Sequence, residues 1–144
     1  MEVDTKNKIM FNILEYTYYS ITKFYIKNES KNGIEDNKRT GAYAVGILIA
    51  FNIMSLIGIF LSVFTEKSDV LSDLLFPVSA TILLICVFSS IYYFVTKKHN
   101  FIFKKYDKKS KKTKNTLNFL VMVYILITVL FMFFAVYMGR NNWI

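Results

Sequence analysis

Three stretches of the chain, Gly41 to Thr65, Leu74 to Thr96 and Thr116 to Gly139, contain no Asp, Glu, Lys or Arg. Each is about 24 residues, enough for a helix to cross a hydrocarbon core of roughly 30 Å. A helix also satisfies its own backbone hydrogen bonds where no water is at hand. The chain is therefore read as all-α: an integral membrane protein with three transmembrane helices, at about 42–64, 74–96 and 116–139. Before them stands an amphipathic, interfacial N-terminal helix. At 144 residues there is room for one domain at most, here the region 41–144 behind an N-terminal region 1–40. A hydrophobic content of 54% with 17% aromatics and one proline is foreign to a soluble chain.

The orientation of these spans depends on Lys97 to Lys114, which reads KKHNFIFKKYDKKSKKTK, with nine lysines and one acid, Asp107. Charges this dense do not cross a bilayer cheaply. Lys plus Arg number seven before the first span, one between the first two, nine in the basic loop 97–115 and one in the tail. The positive-inside rule then puts the N-terminus and the basic loop in the cytoplasm and the C-terminus outside. Three spans require opposite termini, so the count is self-consistent. The richness in Lys, Asn, Ile, Phe and Tyr suggests an AT-rich, bacterial genome, hence a multi-pass protein of the bacterial inner membrane.

The net charge of +8 would point to nucleic acid in a soluble chain. Beside apolar spans it points first to a bilayer with anionic headgroups. Lys97, Lys98, Lys104, Lys105, Lys108, Lys109, Lys111 and Lys112 are the expected headgroup contacts. Contact with RNA or a ribosome is the lesser reading, since the run holds no arginine for bidentate phosphate recognition. The plainest reading of such a run is a topology determinant alone.

Within residues 1–40, Lys8 to Lys27 has no Gly or Pro, and its apolar residues recur at spacings of three and four, a helical stripe. Asn12, Glu15 and Lys23 make it a poor span. The first reading is a helix 8–27 lying in the headgroup plane, with Ile13, Ile21 and Phe24 buried and Lys8 and Lys27 solvated. The alternative is a helix folded against the cytoplasmic end of the bundle. A polar linker with a turn at Gly33 follows. Asp69, Ser72 or Asp73 could cap the second span, and Pro77 is harmless if that helix begins near Asp73 but interior if it begins near Val70. Trp143 sits where an aromatic belt would place it. Neither a cleavable leader nor a lipidation signal is expected from the termini.

Chemistry-bearing patterns are scarce. The single histidine, His99, has no Cys or second His nearby, so no metal site is expected. No HExxH, GxSxG, Walker or GxGxxG pattern occurs. Cys86 cannot form an internal disulfide. The chain is read as a non-enzyme without a cofactor, and without the intramembrane ionisable group or broken helix of an active transporter.

What the spans offer instead is small and weakly polar faces. Ala42, Gly46 and Ala50 recur every four residues, and Asn52, Ser55, Gly58 and Ser62 mark a second face. Ser79 and Ser90 in the second span and Thr128 in the third could answer them. Gly46, Ala50, Asn52, Ser55, Gly58, Ser79, Ser90 and Thr128 are the candidate residues for helix packing or a partner interface. The packing reading is a three-helix bundle whose polar faces bond to one another. Asn52 is the most informative of them, because its amide near mid-membrane must find a partner.

The order of an aromatic, lysine-rich helix (YYSITKFYIK), a polar linker and a span centred on FNIMSL resembles a group of short, uncharacterised bacterial inner-membrane proteins. The resemblance covers residues 8–64 and implies a bacterial source and a span at Asn52, but no activity and no site. Two functions compete. One is a non-catalytic protein that acts by binding, as an accessory subunit of a membrane complex or an immunity or exclusion factor, with a membrane-protein partner or a second copy. The other is a self-assembling permeability factor of the holin or toxin type, with a small transporter third.

Overall fold

The computed structural model describes residues 2–28, 34–64 and 69–142, with side chains placed over 13–28, 36–62 and 77–138. In chain order the elements are α1 (Glu2–Asn28), α2 (Ile34–Phe64), α3 (Asp69–Ser90), a π-helical segment (Ile91–Lys98), α4 (His99–Asp107) and α5 (Lys111–Asn142). No strand occurs among the described residues. Three stretches are long and apolar enough to cross a membrane: Asp36–Ser62, Pro77–Asp107 and Lys111–Met138. Their outward faces carry Leu56, Phe60, Leu84, Phe88, Leu126 and Phe133, all well exposed. A contiguous apolar exterior of this kind is costly in water and natural against lipid. The protein is an all-α, three-span membrane protein.

The spans are not arranged as a closed triangle. α2 is central: α3 and α5 each pack along it and make little direct contact with one another. On the α3 side, Gly46 allows the close approach, since a Cβ there would stand 2.8 Å from Val87 Cα. Ala50, fully buried, and Ala42 continue the small-residue line along α2. On the α5 side, a Cβ on Gly58 would meet Ala135 Cβ at 3.8 Å, ordinary contact. α3 begins at Asp69, so Pro77 is interior, where it has no N–H to give to the carbonyl one turn earlier.

The segment expected as a basic loop, 97–115, is almost entirely helical. The helix leaving α3 continues to Asp107, and α5 begins at Lys111, so only Lys108, Lys109 and Ser110 turn the chain. Ser110 is the local cause. Its Oγ accepts the Thr113 N–H at 3.3 Å, and its carbonyl accepts the Lys114 N–H at 3.0 Å, an N-cap for α5. The Lys109 N–H closes on the Tyr106 carbonyl at the other end of the turn. Lysines favour helix as well as solvent, so a lysine run with one capping serine makes two helices joined by a tight turn. The π segment adds a second adjustment. Its i→i+5 pattern winds less per residue than an α-helix, so α4 leaves it rotated. Ile102 and Tyr106 of α4 then point inward and are buried.

α1 is docked rather than lying alone on a surface. It packs on α2, α4 and α5 at the lysine-rich end of the spans. Glu15, Tyr16, Thr17, Tyr18, Tyr19 and Thr22 are all buried, so five consecutive residues are covered around the whole helix. The expected apolar stripe is not the buried face: Ile13 and Ile21 are half-buried and Phe24 is 62% exposed. The physical reason is that α1 fills the space between diverging α4 and α5, where it is enclosed on several sides. The Gly33 turn, the Asp69, Ser72 and Asp73 caps, Lys8 and Trp143 lie outside the described residues or side chains.

Candidate functional site

The enclosed middle of α1 is the most organised part of the molecule. Tyr18, fully buried, stacks on Phe94 of the π segment with ring centroids 5.0 Å apart and planes at 21°. Tyr16 meets Tyr106 edge-on at 5.0 Å, and Tyr19 meets Phe103 at 5.0 Å. Ala42 and Val45 of α2, Ile102 of α4 and Val121 of α5 complete this cluster. Gly41 lies directly beneath α1, since a Cβ there would overlap Thr22 Oγ1 and come within 3.2 Å of the Tyr18 ring.

Each of the three α1 tyrosines carries its hydroxyl to a polar group on another helix, which is how a buried Tyr is usually accommodated. Tyr19 donates to Asp107 Oδ1 at 2.7 Å. The single Tyr16 proton is shared between Asn118 Oδ1 at 2.9 Å and the Lys114 carbonyl at 3.1 Å. The Tyr18 hydroxyl and His99 Nδ1 lie 2.7 Å apart, with the donor set by the imidazole tautomer. Two ion pairs close the site: Lys23 with Asp107, and Lys105 with Glu15. Glu15 is buried, so its partner compensates a carboxylate removed from water. Burial pushes the Tyr16 and Tyr19 phenols above their ordinary value of 10.0. Hydrogen bonds to Asp107 and Tyr19 raise the Lys23 ammonium above 10.5.

This arrangement holds α1 to α4 and α5. Among the described residues no group of three His, Cys, Asp or Glu side chains could hold a metal ion. His99 is instead a tyrosine partner, 4.5 Å from the Phe103 ring.

Of the eight packing candidates, Gly46 and Asn52 of α2 are placed against Ser90 and Thr128. Gly46 faces α3, where its Cβ would stand 3.2 Å from Ser90 Oγ, and Ser90 is buried. Asn52 faces α5: Nδ2 donates to Tyr124 Oη at 3.0 Å and approaches Thr128 Oγ1 at 3.3 Å, besides its own Leu48 carbonyl at 2.9 Å. Ser55 is buried, and its Oγ has no hydrogen-bond partner among the described residues. Ser79 is half-buried on α3. The structure thus joins Asn52 to Thr128 and Gly46 to Ser90, as two separate contacts rather than one ring.

The lysines divide as well. Lys105 is committed to Glu15 and lies over the Tyr106 ring at 4.9 Å, so it is a structural residue and not a free headgroup contact. Lys97 and Lys98 lie over Tyr92 and Phe101. Lys104, Lys108, Lys109, Lys111 and Lys112 are exposed. Sequence reasoning missed the tyrosine cluster and Asn118. A signal existed in the two isolated acids: Glu15 within an aromatic helix and Asp107 within a lysine run are each complementary to a basic partner on the other segment.

The fold and site together define a three-span membrane protein whose N-terminal helix is built into one end of the span domain. Comparison with known protein families, with curated proteins and with solved structures gave no match to the chain.

Proposed function

We propose that this is a non-catalytic protein of the bacterial inner membrane that acts by binding another membrane protein, as an accessory subunit or as an immunity or exclusion factor. The observation that carries the reading is the open arrangement of the spans. α3 and α5 flank α2 without closing on each other, which leaves membrane-facing grooves for a further helix. One such groove, of about 290 Å³, runs between α2 and α5 past Gly58 and Ala135. Ser55 lines it, and its buried hydroxyl has no partner among the described residues. Small residues that let backbones approach closely are what a transmembrane partner helix uses.

The orientation belongs to the same proposal: N-terminus and residues 97–114 in the cytoplasm, C-terminus outside. The lysine count supports it, and the packing of α1 on α4 and α5 brings the two basic segments to one end. Reporter fusions at positions 30, 68, 105 and 144 check it, and a cytoplasmic signal at 144 overturns it.

The functional test is extraction in mild detergent followed by mass spectrometry of what co-purifies. A membrane protein held in fixed stoichiometry, and released by Ser55→Leu, is the expected result. Growth arrest with dye release on expression, and no such companion, would favour a permeability factor instead.

A further inference from the structure

A groove of about 770 Å³ opens between α1, α2 and α5 at the lysine-rich end of the spans. Its walls are apolar, with Ala44 of α2 at its base and Met122, Ile125, Leu126 and Val129 of α5 along its length. A smaller pocket of about 270 Å³ adjoins it and carries Lys23, Lys27 and Lys114. The two share Ser20, Phe24 and Asn118, so basic pocket and apolar groove are one continuous feature. We infer that this feature is a binding site for one anionic phospholipid of the adjoining leaflet, with its phosphate among Lys23, Lys27 and Lys114 and an acyl chain along α5.

The charge arithmetic suits an anion. Asp107 neutralises Lys23, and the Lys114 ammonium also bonds the Asp107 carbonyl, which adds no charge. Among the described residues, three lysines against one carboxylate leave two positive charges at the pocket. Ser20 and Asn118 stand at the junction, where glycerol and ester oxygens of a lipid lie. The depth suits a lipid as well. From Val121 to Val129 an α-helix rises about 12 Å, close to half of a hydrocarbon core. The groove therefore begins at the charged rim and ends near mid-bilayer. A zwitterionic lipid would fill the groove equally well but would meet uncompensated lysines.

The test is purification from vesicles holding equal phosphatidylglycerol and phosphatidylcholine with the same chains, followed by quantification of the retained lipid. Wild type is expected to retain the anionic lipid with roughly thirtyfold enrichment, two lysines' share of attraction to an anionic headgroup. Lys27→Gln with Lys114→Gln should abolish the enrichment, whereas Lys111→Gln with Lys112→Gln, an equal change of charge outside the groove, should preserve it. Ala44→Trp fills the groove and should reduce retained lipid of either kind, which separates a lipid from a free anion. Equal retention of the two lipids by wild type, or equal loss in both double variants, overturns the site.

Discussion

The Glu15 carboxylate on α1 and the Lys105 ammonium on α4 are paired across 90 positions of the chain, at the point where α1 is enclosed by its neighbours. Breaking a buried ion pair by removing one partner leaves an uncompensated charge, which costs more than the pair contributes. Lys105→Met is therefore expected to lower the thermal midpoint in detergent by more than Glu15→Gln with Lys105→Met together. A double variant worse than the single one would count against a buried pair.

Tyr18 supplies the packing counterpart. It is fully buried and stacked on Phe94, and truncation of a buried aromatic costs about 3–5 kcal/mol. Tyr18→Ala should release α1 while the spans remain helical. Far-ultraviolet circular dichroism would then stay nearly constant as protease sensitivity before residue 34 rises.

Gly46 and Gly58 make a matched pair for the α2 contacts. A methyl at Gly46 would meet the backbone of Val87 and the Cys86 carbonyl, neither of which can swing away. Overpacking of that kind costs about 1–3 kcal/mol. A methyl at Gly58 only touches Ala135. Thermal midpoints measured in one detergent should fall clearly for Gly46→Ala and stay within error for Gly58→Ala.

Asn52→Leu removes the amide that bonds Tyr124 and Thr128 while keeping roughly its volume. Interhelical hydrogen bonds of this type contribute about 0.6–2 kcal/mol. The expected outcome is a small drop in thermal midpoint and an unchanged particle mass on size exclusion. A smaller particle with an unchanged midpoint would mean that Asn52 holds copies or partners together instead.

The docking of α1 should also weaken at high pH. Tyr16, Tyr19 and Lys23 all hold their protons more tightly when folded than when free. For each, the released form loses protons first as pH rises, so the contribution is complete below the ordinary values of 10.0 and 10.5 and is lost above them. The thermal midpoint should fall beyond about pH 10. Tyr19→Phe should shallow that fall.

Much of the architecture is legible in the sequence because charge-free length is a nearly unambiguous signal in a chain of this composition. The N-terminal helix is equally legible as a helix, from its periodicity and its lack of Gly and Pro. Its buried face is not. Periodicity assumes one wet side and one dry side, whereas Glu15 to Tyr19 are covered all round, and their polarity is answered by Lys105, Asp107, His99 and Asn118 on helices that are distant in sequence. The lysine-rich segment misleads for a related reason. Its charge describes where it lies relative to the bilayer, while its two helices and tight turn depend on Ser110 and on a π segment that no composition announces.

The insertion of α1 between α4 and α5 is tested most directly by single cysteines placed from Ile13 to Lys27 in a Cys86→Ser background, probed with a membrane-impermeant thiol reagent in native membranes opened to both sides. The account predicts protection at positions 16, 18, 19 and 22 and ready labelling at 24 and 27, in keeping with their burial and exposure. Protection at 13, 21 and 24 with labelling at 18 and 22 would describe a helix resting on the headgroups by its apolar stripe, and would contradict it.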